Sequence, residues 1–138
     1  MKKILFIITL INLGCKPNPI EHAKHINGYW EIENVYKNGK LLKEFKISQR
    51  IDFFKINEDL SGYRKKLKTN LDGTYTSSND KLSFNLEIKL YKRLILVYVD
   101  NNTTFSEEVI KVNNKNLTIK NDNGLIYNYK AYKPLEIN

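Results

Sequence analysis

His22 and His25, with two residues between them, are the first side chains in the chain with types and spacing suited to chemistry. Two imidazoles at that spacing can approach one metal ion, but a zinc site takes at least three protein ligands. No cysteine and no third ligand stands near them, so no metal site is expected. The fifteen carboxylates are scattered over separate segments. A pair such as Glu31 and Glu107 would have to lie within roughly 5–10 Å to share acid–base work, and nothing in the sequence brings them together. There is no Gly-x-Ser-x-Gly elbow and no ordered Ser, His and Asp set. The expectation is a protein without catalysis or cofactor. One charged cluster remains. Arg64-Lys65-Lys66-Leu67-Lys68, with Lys89, Lys92 and Arg93 later, would make a basic patch for lipid headgroups or acidic glycans if the strands bring the two groups together. The blander reading is a solvated face whose charges deter edge pairing.

The single cysteine, Cys15, closes a different pattern. Lys2 and Lys3 precede the apolar run Ile4 to Ile11, which is too short to span a bilayer as a helix, and Leu13-Gly14-Cys15 follows. Ile11-Asn12-Leu13-Gly14-Cys15 resembles the lipobox of bacterial lipoproteins, with Asn12 where a leucine is usual. That resemblance implies a signal peptide over residues 1–14, a diacylated Cys15 as the mature N-terminus, further acylation such as palmitate, and membrane attachment through the lipid. With two acyl chains at about 0.8 kcal/mol per buried methylene, the anchor would be permanent. One cysteine also means no internal disulfide, so the exported domain is held by its core alone. Residues 15–25, polar and with Pro17 and Pro19, are expected to be a tether. Lys16 after the anchor is not the aspartate of inner-membrane retention, and favours the outer membrane, facing the periplasm.

Removal of residues 1–14 leaves 124 residues, enough for one domain with one core, and takes the charge from +8 to +6. An exported chain seldom meets nucleic acid, so a nucleic-acid partner is not expected; anionic lipid or glycan is the likelier neighbour of this charge.

From Ile26 onward the apolar period is two, broken by Asn-Gly and Asn/Asp turns at short intervals, which is an all-β pattern. Strands are expected over residues 28–36, 47–56, 60–68, 74–76, 82–90, 93–100, 103–112, 116–120 and 125–132. The apolar phase slips at Phe54, so a bulge is expected near Phe53. Residues 41–45 offer the one place for a helix or a lid, and residues 94–99 are apolar on both faces. Eight or nine strands with short connections suit an up-and-down antiparallel β-barrel of about eight strands, filling residues 26–138.

Ile26-Asn27-Gly28-Tyr29-Trp30-Glu31-Ile32 resembles the Gly-x-Trp motif that opens the first strand of lipocalins and of small lipocalin-like envelope domains. The segments 53–62, 108–119 and 127–133 are similar to later strands of such domains. The resemblance implies a lipocalin-like barrel in which Trp30 plugs the closed end, Gly28 lets the chain bend over it, and the interior takes a small hydrophobic ligand. Phe53, Phe84 and Leu86 by alternation, with Tyr98 and Tyr127, are the candidate ligand-lining residues. Large side chains among them would alternatively fill the lumen. The leading expectation is therefore a lipid-anchored envelope binding protein. The alternative is a protein-interaction module, of inhibitor or immunity type, that uses a sheet face or loops.

Overall fold

A computed structural model describes Gly14, residues 18–46 and residues 50–133. Cys15 and the signal segment lie outside the described residues. Nine strands form one sheet: β1 (Gly28–Lys37), β2 (Lys40–Glu44), β3 (Arg50–Ile56), β4 (Ser61–Thr69), β5 (Tyr75–Ile88), β6 (Leu94–Asp100), β7 (Thr103–Val112), β8 (Asn116–Asn121) and β9 (Leu125–Ala131). All pairings are antiparallel, and β1 pairs with β9 from Trp30↔Ala131 to Lys37↔Leu125. That pairing closes β1 and β3 to β9 into an eight-stranded barrel, with β2 as an added strand on the far half of β1. Closure removes the exposed edges that an open sheet would carry.

One end of this barrel is built shut. Asn18 accepts a hydrogen bond from the Ile20 amide at 3.0 Å, and Pro19 follows, an N-cap and first-turn pair that starts a short helix, α1 (Pro19–Ala23). A 3₁₀ turn over Lys24–Ile26 continues it. Ala23 and Ile26 are fully buried against the barrel core, so residues 19–26 are packed structure where the sequence suggested loose tether. The Trp30 indole donates to the Ile26 carbonyl at 2.8 Å, which locks this plug to β1. Gly28 has φ +129°, a backbone state closed to side chains, with open space around it. It is needed for conformation rather than for room.

Three expectations change. Residues 41–45 form β2 and its exit instead of a helix, because Asn38-Gly39 with φ +50° and +75° turns the chain straight back onto β1. The phase slip in β3 is not a bulge: its register with β4 runs unbroken from Arg50↔Lys68 to Ile56↔Gly62. Phe54 and Ile56 face in, while Phe53 faces out and packs 4.8 Å from the Tyr29 ring and 6.0 Å from that of Tyr63. The strand is simply covered on both faces. Bulges fall instead in β1, β5 and β7. Residues 74–76 and 82–90, read as two strands, are parts of the single long β5.

Candidate functional site

Side chains fill the closed half of the lumen. Trp30, Phe54, Phe84, Leu86, Leu96 and Leu117 are buried there with Ala23 and Ile26. Above them lies a layer of charge. Arg64 on β4 points inward because Gly62 and Arg64 share the face that looks at Phe84 and Phe54. Its Nη2 donates to Asp52 at 2.6 Å and to the Tyr129 hydroxyl at 3.0 Å, and Nη1 faces both Glu107 carboxylate oxygens at 3.3 and 3.4 Å. The Tyr98 hydroxyl donates to Glu107 at 2.8 Å, and the guanidinium lies 5.1 Å from the Phe54 ring centre. Burial opposes the charge on Arg64, but the oxygens of Tyr129, Asp52, Tyr98 and Glu107 outweigh it and hold the pKa well above its ordinary value. Burial is also what pushes the Tyr98 and Tyr129 phenols far up. The cluster is a fixed polar floor.

Over this floor the barrel opens, at the end opposite α1, into a cavity of about 760 Å³. That is within the range of small-molecule sites. Leu82, Tyr127 and Tyr129 give it apolar surface. Arg50, Lys66 and Lys68 line one wall, where β3 and β4 run side by side. Arg50 and Lys68 are direct cross-strand partners, and Lys66 stands opposite Asp52 one inward step below. Asp80 and Asp100 line the cavity elsewhere.

Of the candidate lining residues, Tyr127 lines the cavity. Tyr98 lies just beneath it as a floor ligand to Glu107. Phe84 and Leu86 are core filling below, 3% and 4% exposed, and Phe53 is on the outer wall. Glu31 and Glu107 are not brought together: Glu31 faces Lys130 at 3.6 Å across the β1–β9 seam. The carboxylate that joins Glu107 is Asp52, with Arg64 between them. His22 and His25 pack edge to face at 6.3 Å, and among the described residues no group of three or more His, Cys, Asp and Glu could hold a metal. The basic run divides by strand parity. Arg64, Lys66 and Lys68 enter the lumen, Lys65 stays outside near Tyr63, and Lys89, Lys92 and Arg93 are at the opposite end. No continuous patch joins the two groups. The missed signal was the spacing itself: Arg50 and Asp52 precede Phe54 and Ile56 in steps of two, which marks their face as inward.

A small, closed, eight-stranded antiparallel barrel with one plugged end and one open cavity is a lipocalin-like architecture. The lipocalin-like domain model matches residues 26–119, more than half of the chain, and the chain belongs to that family. Among solved structures it is similar to a lipocalin-like protein from Bacteroides uniformis, at 10% identity and TM-score 0.47, over 78% of this chain and 99% of that one. An uncharacterized protein from Bacteroides eggerthii is similar at 12% identity and TM-score 0.47, over 77% and 98%. No curated protein matches.

Proposed function

We propose that this protein is a lipid-anchored envelope binding protein whose open lumen holds a small amphipathic acid, without catalysis. The observation that carries the reading is the cavity of about 760 Å³ with Arg50, Lys66 and Lys68 on one wall and apolar surface from Leu82 and Tyr127. The hydrophobic ligand implied by the sequence thus gains an anionic group, a carboxylate, sulfonate or phosphate, seated between the β3 and β4 cations. The Arg64 floor sets the depth to which the ligand's anionic group descends, since two carboxylates, Asp52 and Glu107, already share its one guanidinium. Cys15 carries the lipid in this reading, and the outer membrane facing the periplasm is its place.

A probe pair tests the ligand class. Anilinonaphthalene sulfonate and the neutral phenylnaphthylamine are alike in shape and differ in charge. Titration of the protein with each is expected to give tighter binding of the sulfonate. Lys66→Gln and Arg50→Gln are expected to weaken the sulfonate about 5- to 20-fold each and to leave the neutral probe within about twofold, as for loss of one charge-assisted contact. Equal loss of both probes, or no binding of either, contradicts the reading.

The outer face of β6 supports the interaction-module alternative, because Val99 is 59% exposed beside partly exposed Ile95 and Val97. A partner on that face would protect Val99→Cys from thiol labelling in envelope preparations; full labelling there speaks against it.

A further inference from the structure

We propose that the closed end of the barrel rests on the bilayer surface and that the Leu90–Tyr91 turn dips into it, which points the cavity mouth away from the membrane. The inference rests on the lipid at Cys15 in the preceding reading. From Cys15 to Asn18 there are three Cα steps, a reach of at most about 11 Å in any conformation. Asn18 caps α1, and α1 and its 3₁₀ extension are fixed under the barrel by buried Ala23 and Ile26 and by the Trp30–Ile26 hydrogen bond. An anchored glycerol at Cys15 therefore keeps this end, and no other, at the lipid headgroups.

The same end carries a surface suited to that position. The β5–β6 ladder stops at Ile88↔Leu94, which leaves residues 89–93 as a projecting turn closed by the Lys89 amide on the Arg93 carbonyl at 2.8 Å. The turn after β3 ends lower, since Leu60 accepts from the Leu86 amide. At the projecting tip Leu90 is 79% and Tyr91 92% exposed. Tyr91 and Lys92 both hold left-handed φ, +60° and +59°, in a turn that contains no glycine. Such a backbone costs on the order of 1–2 kcal/mol per residue, and here it keeps an aliphatic and an aromatic side chain in water. A leucine and a tyrosine at a tip suit the acyl boundary and the headgroup layer respectively. The basic side chains at this end are largely matched, Lys89 with Glu87 at 2.6 Å, Arg93 with Glu108 at 2.7 Å and Lys24 with Glu21 at 2.8 Å, so the apolar tip and the short reach from Cys15, and not net charge, suit this end to the bilayer.

The mouth at the other end then faces the aqueous compartment. Ligand enters from solution or from a partner in it, and not from the membrane that holds the protein.

The test uses the full lipidated protein in phosphatidylethanolamine–phosphatidylglycerol vesicles, with a single new thiol labelled by an environment-sensitive dye. Leu90→Cys places the dye at the tip, and Asn123→Cys places it on the exposed β8–β9 turn beside the mouth. Both positions are on surface turns that the core does not use. Brominated acyl chains are expected to quench the dye at 90, with a blue shift, and to leave the dye at 123 as it is in water. Quenching at 123, or at neither position, overturns the proposal. The mass of the N-terminal peptide is measured on the same sample. If Cys15 bears two acyl chains and the dye at 90 is still not quenched, the orientation alone is wrong; if Cys15 bears none, the anchor is wrong and the orientation falls with it.

Discussion

Arg64 is the residue on which the interior depends. A guanidinium that faces two carboxylates and a phenol inside a barrel was placed there with its partners, and its removal would leave Asp52 and Glu107 facing each other without their cation. Loss of one side of a buried ionic cluster costs about 3–5 kcal/mol. Arg64→Met is therefore expected to lower the unfolding free energy by that amount, while Lys65→Met, on the outer wall, is expected to change it by less than about 0.5 kcal/mol. Urea titration of the two variants checks the contrast between neighbours in sequence. Gly62, two residues earlier, has a different role. A Cβ there would strike the Lys55 carbonyl oxygen and the Phe84 ring, and the carbonyl belongs to the backbone and cannot move aside cheaply. Gly62→Ala is expected to cost about 1–3 kcal/mol from overpacking, measured by the same titration. The phenols give a pH signature. Burial pushes Tyr75 up to about 12, and it raises Tyr98 and Tyr129 further. Since the unfolded chain releases these protons first, near the ordinary phenol value of about 10, stability is whole below that pH and is lost as pH rises through the folded values. Alkaline titration of absorbance should show two of the nine tyrosines, Tyr98 and Tyr129, ionising only as the fold opens.

Among the elements, the strands were mostly legible and their decorations less so. Alternation located β1, β7, β8 and β9 within a few residues, because each has one face in a core and one in water, and β6 showed instead as a run apolar on both faces. It misread β3, where Phe53 meets Tyr29 and Tyr63 on the outer wall and so breaks the rule that apolar means inward. It also missed α1, whose five residues are too few for a helical period and whose burial is tertiary. The helix cap was nonetheless written in Asn18-Pro19. Asn18→Ala is expected to destabilise the plug by about 1 kcal/mol, and hydrogen exchange of the Trp30 indole proton, held by Ile26, should quicken. The basic strand β4 hid the site for a related reason. Arg64, Lys66 and Lys68 look like a wet face until the barrel closes around them, and only the partner face of β3, with Asp52 and Phe54, shows which way they turn. On the outer ladder, Arg93 grips Glu108 at 2.7 and 2.8 Å and holds the Glu108 carboxyl below its usual range through that hydrogen bond. The contribution is present above the unfolded carboxylate value and is lost as pH falls through the lowered one. Glu108→Gln is expected to cost less than about 1 kcal/mol at neutral pH and nothing in strong acid, as thermal melts at both pH values would show.

At the scale of the whole molecule, the barrel is divided along its axis. Its closed half is packed like any small core, its middle is a buried ionic cluster of one arginine and two carboxylates, and its open half is a cavity with a basic wall. The lower half gives stability, and the upper half is free to be a site because stability does not need it. Sequence alone could not make that division, since alternation reports which side chains face in and not how far along the axis they fill. The central claim is that the open half holds an amphipathic acid. Native mass spectrometry of the protein, purified from its own cells under non-denaturing conditions, tests it most directly. The expected result is a noncovalent adduct, lost on denaturation, that ionises as an acid and is depleted in Lys66→Gln; a neutral adduct, or a bare protein mass in wild type, would contradict it.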